Sequence, residues 1–269
     1  MKKVLLSVVI LTFVLALAAC GSDSAESKLV VGASNVPHAE ILEKAAPILE
    51  EKGIELEIIT FQDYVLPNKA LAEKELDANY FQHIPYLESQ IADHGYDFVN
   101  AGGIHIEPIG VYSQEYESLA DLPDGAEVIM SNSVADHGRF LALLQNEGLI
   151  KVDESVNITE ATIEDIVEYY RDIEFTADIE AGLLPQVYNN GEGDAVLINT
   201  NYAIDAGLNP VEDAIALEGS ESPYVNIITV RNGDETREEI QTLVEVLRSE
   251  EIQSFILEEY NNSVVPVSE

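Results

Sequence analysis

Apolar positions along this chain recur in two rhythms, and their alternation predicts the fold. Short apolar runs at 29–33, 56–60 and 78–82 read as buried strands. Between them, 37–52 carries Ile41, Ala45, Ile48 and Leu49 at helical spacing, with Gly53 as the stop, and 66–75 reads as a shorter helix. Pro47 inside the first helix predicts a kink or an early end. A strand-like piece at 104–112 leads to a second series. This has a strand at 127–131, a helix at 136–146, and a helix at 162–170 opened by a Thr-x-x-Asp capping pattern. The segment 174–177, a helix through 187, and strands at 194–198 and 224–230 follow. Two helices close the chain, at 235–247 and to about residue 260. Strands alternating with helices predict an α/β protein with largely parallel sheets covered on both faces. Two such series and a helical tail predict two lobes, with a ligand cleft between them beyond the strand ends.

The first residues follow neither rhythm. Lys2 and Lys3 precede an almost unbroken apolar run over 4–17, which ends in Leu17-Ala18-Ala19-Cys20. A charged start, a short apolar core and small residues before a cut describe a secretory signal, here 1–19. The run is shorter than the ~20 residues of a membrane span. Cys20, the single cysteine, stands where a lipobox has its lipid-bearing residue. The polar, acidic stretch 20–28 then reads as a tether, which puts the mature chain at the outer face of a cell membrane with no disulfide.

Charge changes the picture more than composition does. Fifty acidic residues against 13 basic ones give a net charge of −37. That balance argues against nucleic acid and anionic lipid surfaces as partners, and it suits a saline or alkaline exterior. Tests for catalysis fail: the chain has no Gly-x-Ser-x-Gly elbow, no phosphate-binding glycine loop and no cysteine nucleophile in the mature part. The histidines (His38, His83, His94, His105, His137) are scattered without zinc-helix spacing, so a metal site would need ligands converging from separate strands. The expectation is a binding protein with no cofactor and no metal, not an enzyme.

Several colinear blocks carry a resemblance. They are Pro37-His38-Ala39-Glu40-Ile41-Leu42, Asp63-Tyr64 with Pro67-Asn68, and the run from Glu75 through Ala78-Asn79-Tyr80-Phe81-Gln82-His83 to Leu87. His105-Ile106-Glu107-Pro108, the run SLADLPDG at 118–125, Gly138-Arg139, NTNYA at 199–203 and SPYVN at 222–226 complete them. Together they resemble the methionine-binding lipoproteins that serve ABC importers, over nearly the whole mature chain. The resemblance implies a two-lobed periplasmic-binding-protein fold of the second type, with one lobe from 29–110 plus 231–269 and the other from 111–230, a methionine-like ligand, and a permease and ATPase as partners. Other amino acids, a methionyl peptide, or a structural or adhesive lipoprotein remain alternative readings.

A free amino acid offers a carboxylate, an ammonium and a side chain, each needing a partner. Arg139, expected in the first turn of its helix, can hold the carboxylate through a two-pronged fork, or it can pair with surface acids. Tyr64, Tyr80, Phe81, His83 and His105 form an aromatic set that can enclose a thioether. Strand alternation sets Phe81 and His83 on one face and Tyr80 on the other, and Tyr80 and Tyr86 are the members expected to pack in the core. Amide oxygens of Asn199, Asn201 and Asn226 can accept from the ammonium, or the residues can serve turns. One block departs from the family. Relatives read Pro-Asn-Asp-Pro-Thr-Asn where this chain has Ser131-Asn132-Ser133-Val134-Ala135-Asp136, so Asp136 stands at the position of a cleft asparagine. It either caps the helix or changes ligand preference through its charge.

Overall fold

The structure is a computed structural model that describes residues 27–219 and 221–267. The signal at 1–19 and Cys20 lie outside the described residues. The tether expected over 20–28 is shorter than the sequence suggested, because strand β1 (Ser27–Ser34) already begins at Ser27, opposite Ile54. A wide helical turn, Asn35–Ala39, leads into α1 (Glu40–Glu51), followed by β2 (Ile54–Phe61), α2 (Leu66–Ala72) and β3 (Ala78–His83). Next come α3 (Ile84–His94), β4 (Phe98–Ile106), β5 (Gly110–Tyr112), β6 (Ala126–Ser131) and α4 (Val134–Asn146). The short strands β7 (Ile150–Val152) and β8 (Ile166–Tyr169) precede β9 (Ile173–Ile179), α5 (Leu184–Asn189), β10 (Ala195–Ile198) and α6 (Thr200–Asp205). The chain ends with α7 (Pro210–Asp213), β11 (Ala216–Leu217), β12 (Val225–Arg231), α8 (Glu238–Leu247), α9 (Glu250–Glu259) and β13 (Val265–Pro266).

Two mixed sheets organise these elements. The first has six strands in the order β13-β4-β12-β3-β1-β2, and the second has five in the order β11-β5-β10-β6-β9. Leu29, Val31 and Ala33 of β1 alternate onto one face, where Ile41, Leu42, Ala45 and Leu49 of α1 and the apolar stripes of α8 and α9 bury them. α2 and α3 contribute Ala70, Leu71 and Leu87 to a separate cluster with Phe98 and Ile227. A second core gathers Val128, Met130, Phe140, Leu141 and Leu144 in the other lobe. The expected two-lobed α/β architecture is therefore what forms.

Four local expectations need correction. α1 runs through Pro47, because Pro47 and Glu43 both face solvent, so the carbonyl that loses its donor is free to meet water while the buried stripe stays intact. The capping box at Thr162 is real, with Thr162 N–H and Oγ1 on Asp165 Oδ2 at 2.7 and 3.0 Å, but it opens a single turn. β-branched Ile166 and Val167 and aromatic Tyr169 then continue as β8, which pairs with β7. The strand-like piece at 104–112 is two strands broken at 107–109, and it starts earlier, at Phe98. Finally, β12 was expected in the second lobe, yet it pairs antiparallel with β3 and β4 in the first sheet. The chain thus crosses between sheets at 107–109 and again over 218–224, and β12 is the returning strand.

Candidate functional site

The two crossovers lie beside the strand ends, and the side chains converging there come from both lobes. Tyr64, Phe81, Gln82, His83, Tyr86 and Asn226 line a narrow cavity from the first lobe; Asp136, Arg139, Asn199, Thr200 and Asn201 line it from the second, and Glu107 from the crossover. The cavity holds about 20 Å³, room for roughly one water. It shares Tyr64 and Tyr86 with an outer groove of about 1150 Å³ that runs between α3 and the start of α4.

The bed of the site is a set of interlocked amides. Gln82 Nε2 donates to Asn68 Oδ1 and Asn79 Oδ1, both at 2.9 Å, and to Thr229 Oγ1 at 3.1 Å. Asn79 and Asn68 return bonds of 2.9 and 3.0 Å to Asn68 Oδ1 and Gln82 Oε1. These bonds fix β3 where it ends, so Phe81, Gln82 and His83 all reach the cavity although strict alternation would divide them. Tyr80 is the exception and points into the first-lobe core, fully buried, with its hydroxyl 2.5 Å from His105 Nδ1.

His105 belongs to the layer below the cavity. Its Nε2–H donates to Glu107 Oε1 at 2.8 Å, and His38 Nε2 lies 3.2 Å from the same oxygen and 3.1 Å from Asn226 Oδ1. Burial pushes His38 down to about 4 and His105 to about 3, so both are neutral imidazoles at neutral pH. Burial also pushes the Glu107 carboxyl up, against the pull of the Arg139 guanidinium. Among the described residues, His38, His105 and Glu107 bring possible metal-ligand atoms within 4.8 Å of one another. Here they satisfy one another as donors and acceptors: Tyr80 occupies the far nitrogen of His105, and the carboxylate accepts from both rings. A metal at the two Nε2 atoms would force protons onto both Nδ1 atoms, and His38 Nδ1 has no partner to receive one.

Arg139 sits in the second turn of α4, not the first as expected. Its fork is already engaged. Nε donates to Glu218 Oε2 at 2.9 Å, and Nη2 donates to the same oxygen and, at 2.6 Å, to the Glu107 carbonyl. The Tyr224 ring packs beneath the guanidinium at 4.6 Å. Nη1 remains toward the cavity, 3.6 Å from Asp136 Oδ1. Asp136 does not cap its helix, whose N-cap Ser133 makes no side-chain cap bond. Its carboxylate is buried and accepts from His83 Nε2 at 3.1 Å and Asn199 Nδ2 at 3.3 Å. His83 Nδ1 accepts from Tyr86 N–H at 3.1 Å, which places the ring proton on Nε2, facing Asp136. Burial would raise the Asp136 pKa, but the hydrogen bond from His83, the charge of Arg139 and the hydrogen bond from Asn199 outweigh it and hold the carboxyl well below the usual range.

The asparagines differ from expectation as well. Asn201 Oδ1 accepts from Tyr64 OH at 2.6 Å, Asn226 Oδ1 faces His38, and Asn199 donates to Asp136. The amide oxygens of Asn201 and Asn226 are thus committed, whereas Asn199 is engaged through Nδ2 and keeps its Oδ1 without a hydrogen-bond partner among the described residues. Tyr64–Asn201 and His83–Asp136 join the lobes, as do Tyr202 OH on the Gln62 carbonyl at 3.2 Å and Asn35 on Asp205 at 2.8 Å. Of the ten residues expected at the site, eight line the cavity, while Tyr80 and His105 lie behind it. Tyr86, expected in the core, lines the cavity with its hydroxyl on the Tyr64 carbonyl at 2.9 Å. Gln82, Glu107 and Thr200 went unassigned although each stands inside a recognised block. Glu218 carried no signal at all among fifty acidic residues.

Two α/β lobes, two crossovers and a buried aromatic and polar site where they meet make up the layout of a solute-binding protein. The chain belongs to the NlpA lipoprotein family, whose model matches residues 29–268. It is 49% identical over 275 residues to the methionine-binding lipoprotein MetQ of Bacillus subtilis, covering 100% of each chain. It is 37% identical over 253 residues to the D-methionine-binding lipoprotein MetQ of Escherichia coli, covering 93% of each. A solved nutrient-binding protein from Burkholderia cenocepacia, bound to methionine, superposes with a TM-score of 0.83 at 40% identity, covering 88% of this chain and 99% of that one. Among the described residues no helix is long and apolar enough to cross a membrane.

Proposed function

We propose that this protein captures methionine outside the cell and delivers it to the permease and ATPase of an ABC importer, held to the membrane by lipid on Cys20. One observation carries the reading: a single buried cavity offers a separate partner to each part of the amino acid. Nη1 of Arg139 faces it for the carboxylate, and Asp136, with lone-pair capacity beyond its two side-chain donors, faces it for the ammonium. Tyr64, Phe81 and Tyr86, with ring centroids 6.0–6.1 Å apart, give the thioether aromatic edges worth about 0.3–1.5 kcal/mol. The narrow cavity means that a ligand gains access only when the bonds between the lobes part. Every candidate acid or base in the site is committed to a partner within the protein, which supports binding rather than turnover.

Calorimetry on the mature protein tests the reading. L-methionine should bind with its affinity reduced in norleucine, which keeps the shape and loses the sulfur, and abolished in alanine. Equal binding of all three would refute it. The outer groove that continues past Tyr64 and Tyr86 favours a methionyl peptide as the second reading, so a dipeptide belongs in the same titration. The anchor has its own test: Cys20→Ala should release the protein from the membrane fraction, and full retention would remove the anchor from the proposal.

A further inference from the structure

Glu218, outside every block the sequence singled out, is bonded to Arg139 and to both crossovers, and it lies where the chain returns to the first lobe. Its Oε2 accepts from Arg139 Nε at 2.9 Å, from Arg139 Nη2, and from Ile109 N–H of the first crossover at 3.2 Å. Its Oε1 accepts from Ser222 Oγ at 2.8 Å, within the second crossover. The backbone repeats the stitch, with Glu218 N–H on the Ile109 carbonyl at 3.0 Å. Arg139 adds its own bond to the Glu107 carbonyl at 2.6 Å, and Tyr224, at the end of the second crossover, packs under its guanidinium at 4.6 Å. One largely buried ion pair therefore touches both segments about which the lobes must turn.

We propose that Glu218 is a positioning residue that reserves the Nη1 atom of Arg139 for the ligand carboxylate and transmits that contact to both crossovers. The inference rests on the reading of Arg139 as the carboxylate contact. By holding Nε and Nη2, Glu218 neutralises most of the guanidinium in advance and fixes its plane, so the ligand makes one directed bond instead of replacing the whole fork. A carboxylate arriving at Nη1 then bears on a group already tied to 107–109 and 218–222. A lobe movement that displaced either crossover would have to break a charged hydrogen bond.

The test compares L-methionine with L-methioninamide, which lacks the carboxylate charge, on the mature lipid-bearing protein in detergent. Calorimetry gives the preference between them, and hydrogen exchange follows residues 107–110 and 218–224. In the wild type, methionine should slow exchange in both segments and methioninamide should slow it less. In Glu218→Gln the guanidinium lacks its main counter-charge, so the preference for methionine should rise about tenfold or more while the slowing at the crossovers is lost. Ser222→Ala loosens only one oxygen of Glu218; it should move both readouts the same way by less, and it decides the matter if Glu218→Gln does not fold. Unchanged preference and unchanged slowing in the folded variant would reduce Glu218 to a structural ion pair. Equal wild-type binding of the two ligands would overturn this inference and leave methionine capture standing. No methionine binding at all would instead remove the functional reading beneath it.

Discussion

Replacing Asp136 with asparagine probes the site where this chain departs from its family. Asparagine keeps the shape and an acceptor oxygen for His83 or Asn199, so the fold should persist while one buried negative charge disappears. At about 3 Å and an effective dielectric near 20, a carboxylate and an ammonium attract by roughly 5–6 kcal/mol before desolvation. The net worth of a charged hydrogen bond is nearer ~1.5–3 kcal/mol, or about 10- to 150-fold in affinity. For methioninamide, whose amine is its only charge, Asp136→Asn should cost that full amount. For methionine the cost should be smaller, because removing Asp136 also frees Nη1, now 3.6 Å from its Oδ1, to serve the ligand carboxylate alone. Calorimetry with both ligands on both proteins gives the difference, expected to be at least about tenfold, or 1.4 kcal/mol. If the two affinities move together within about threefold, Asp136 does not face the ligand and serves only to bind His83.

Three further outcomes follow from the packing and the charge. Gly138→Ala should lower the melting temperature by several degrees, since a Cβ there would sit 2.0 Å from the Ile158 carbonyl and cost about 1–3 kcal/mol; an unchanged melt would mean the 158–160 turn yields freely. Acid should destabilise the fold from about pH 6.5 downward, because the unfolded histidines take up protons near 6.5 while burial holds His38 at about 4 and His105 at about 3. That stability, on the order of 3 kcal/mol per imidazole, is complete above pH 6.5; the raised Glu107 pKa opposes the trend, and the depressed Asp136 pKa adds a loss below about pH 4. Urea midpoints across pH 4–7 measure it, and a profile as steep in His105→Gln as in the wild type would contradict the assignment. With a net charge of −37, the melting temperature should rise from low salt to about 1 M chloride, where screening acts over about 3 Å, and a flat curve would remove self-repulsion as a factor.

What the sequence disclosed was local. Leu29, Val31 and Ala33, the stripe Ile41–Ala45–Leu49 and the closing helices could be read because one face of each is buried and periodicity records that. The segment 162–170 misled because its capping box is satisfied by a single turn, after which β-branched and aromatic residues favour pairing with β7. β12 is an apolar run like any other, and nothing in its residues says which sheet it joins. At the site, the family blocks brought residues together that periodicity cannot. The pairs His83–Asp136 and Arg139–Glu218 span 53 and 79 positions, and in a chain with fifty carboxylates no single acid stands out as a partner. Tyr80 packs in the core, as strand alternation has it, whereas Tyr86 lines the cavity instead, because it lies past the end of β3, where alternation no longer decides which rings face the ligand.

The interlocked amides beneath the cavity have a consequence for how such a receptor could change its cargo. Asn68, Asn79, Gln82 and Thr229 come from α2, β3 and β12, and each satisfies buried groups of the others. Exchanging any one of them strands a buried amide or hydroxyl at about 1–3 kcal/mol, so useful substitutions there would have to arrive together. Asp136, Asn199 and Asn201 sit at the starts of helices in the other lobe and make few bonds apiece, which leaves them open to replacement one at a time. Selection for a new ligand would therefore accumulate its early changes on the second-lobe wall, with the first-lobe bed inherited unaltered.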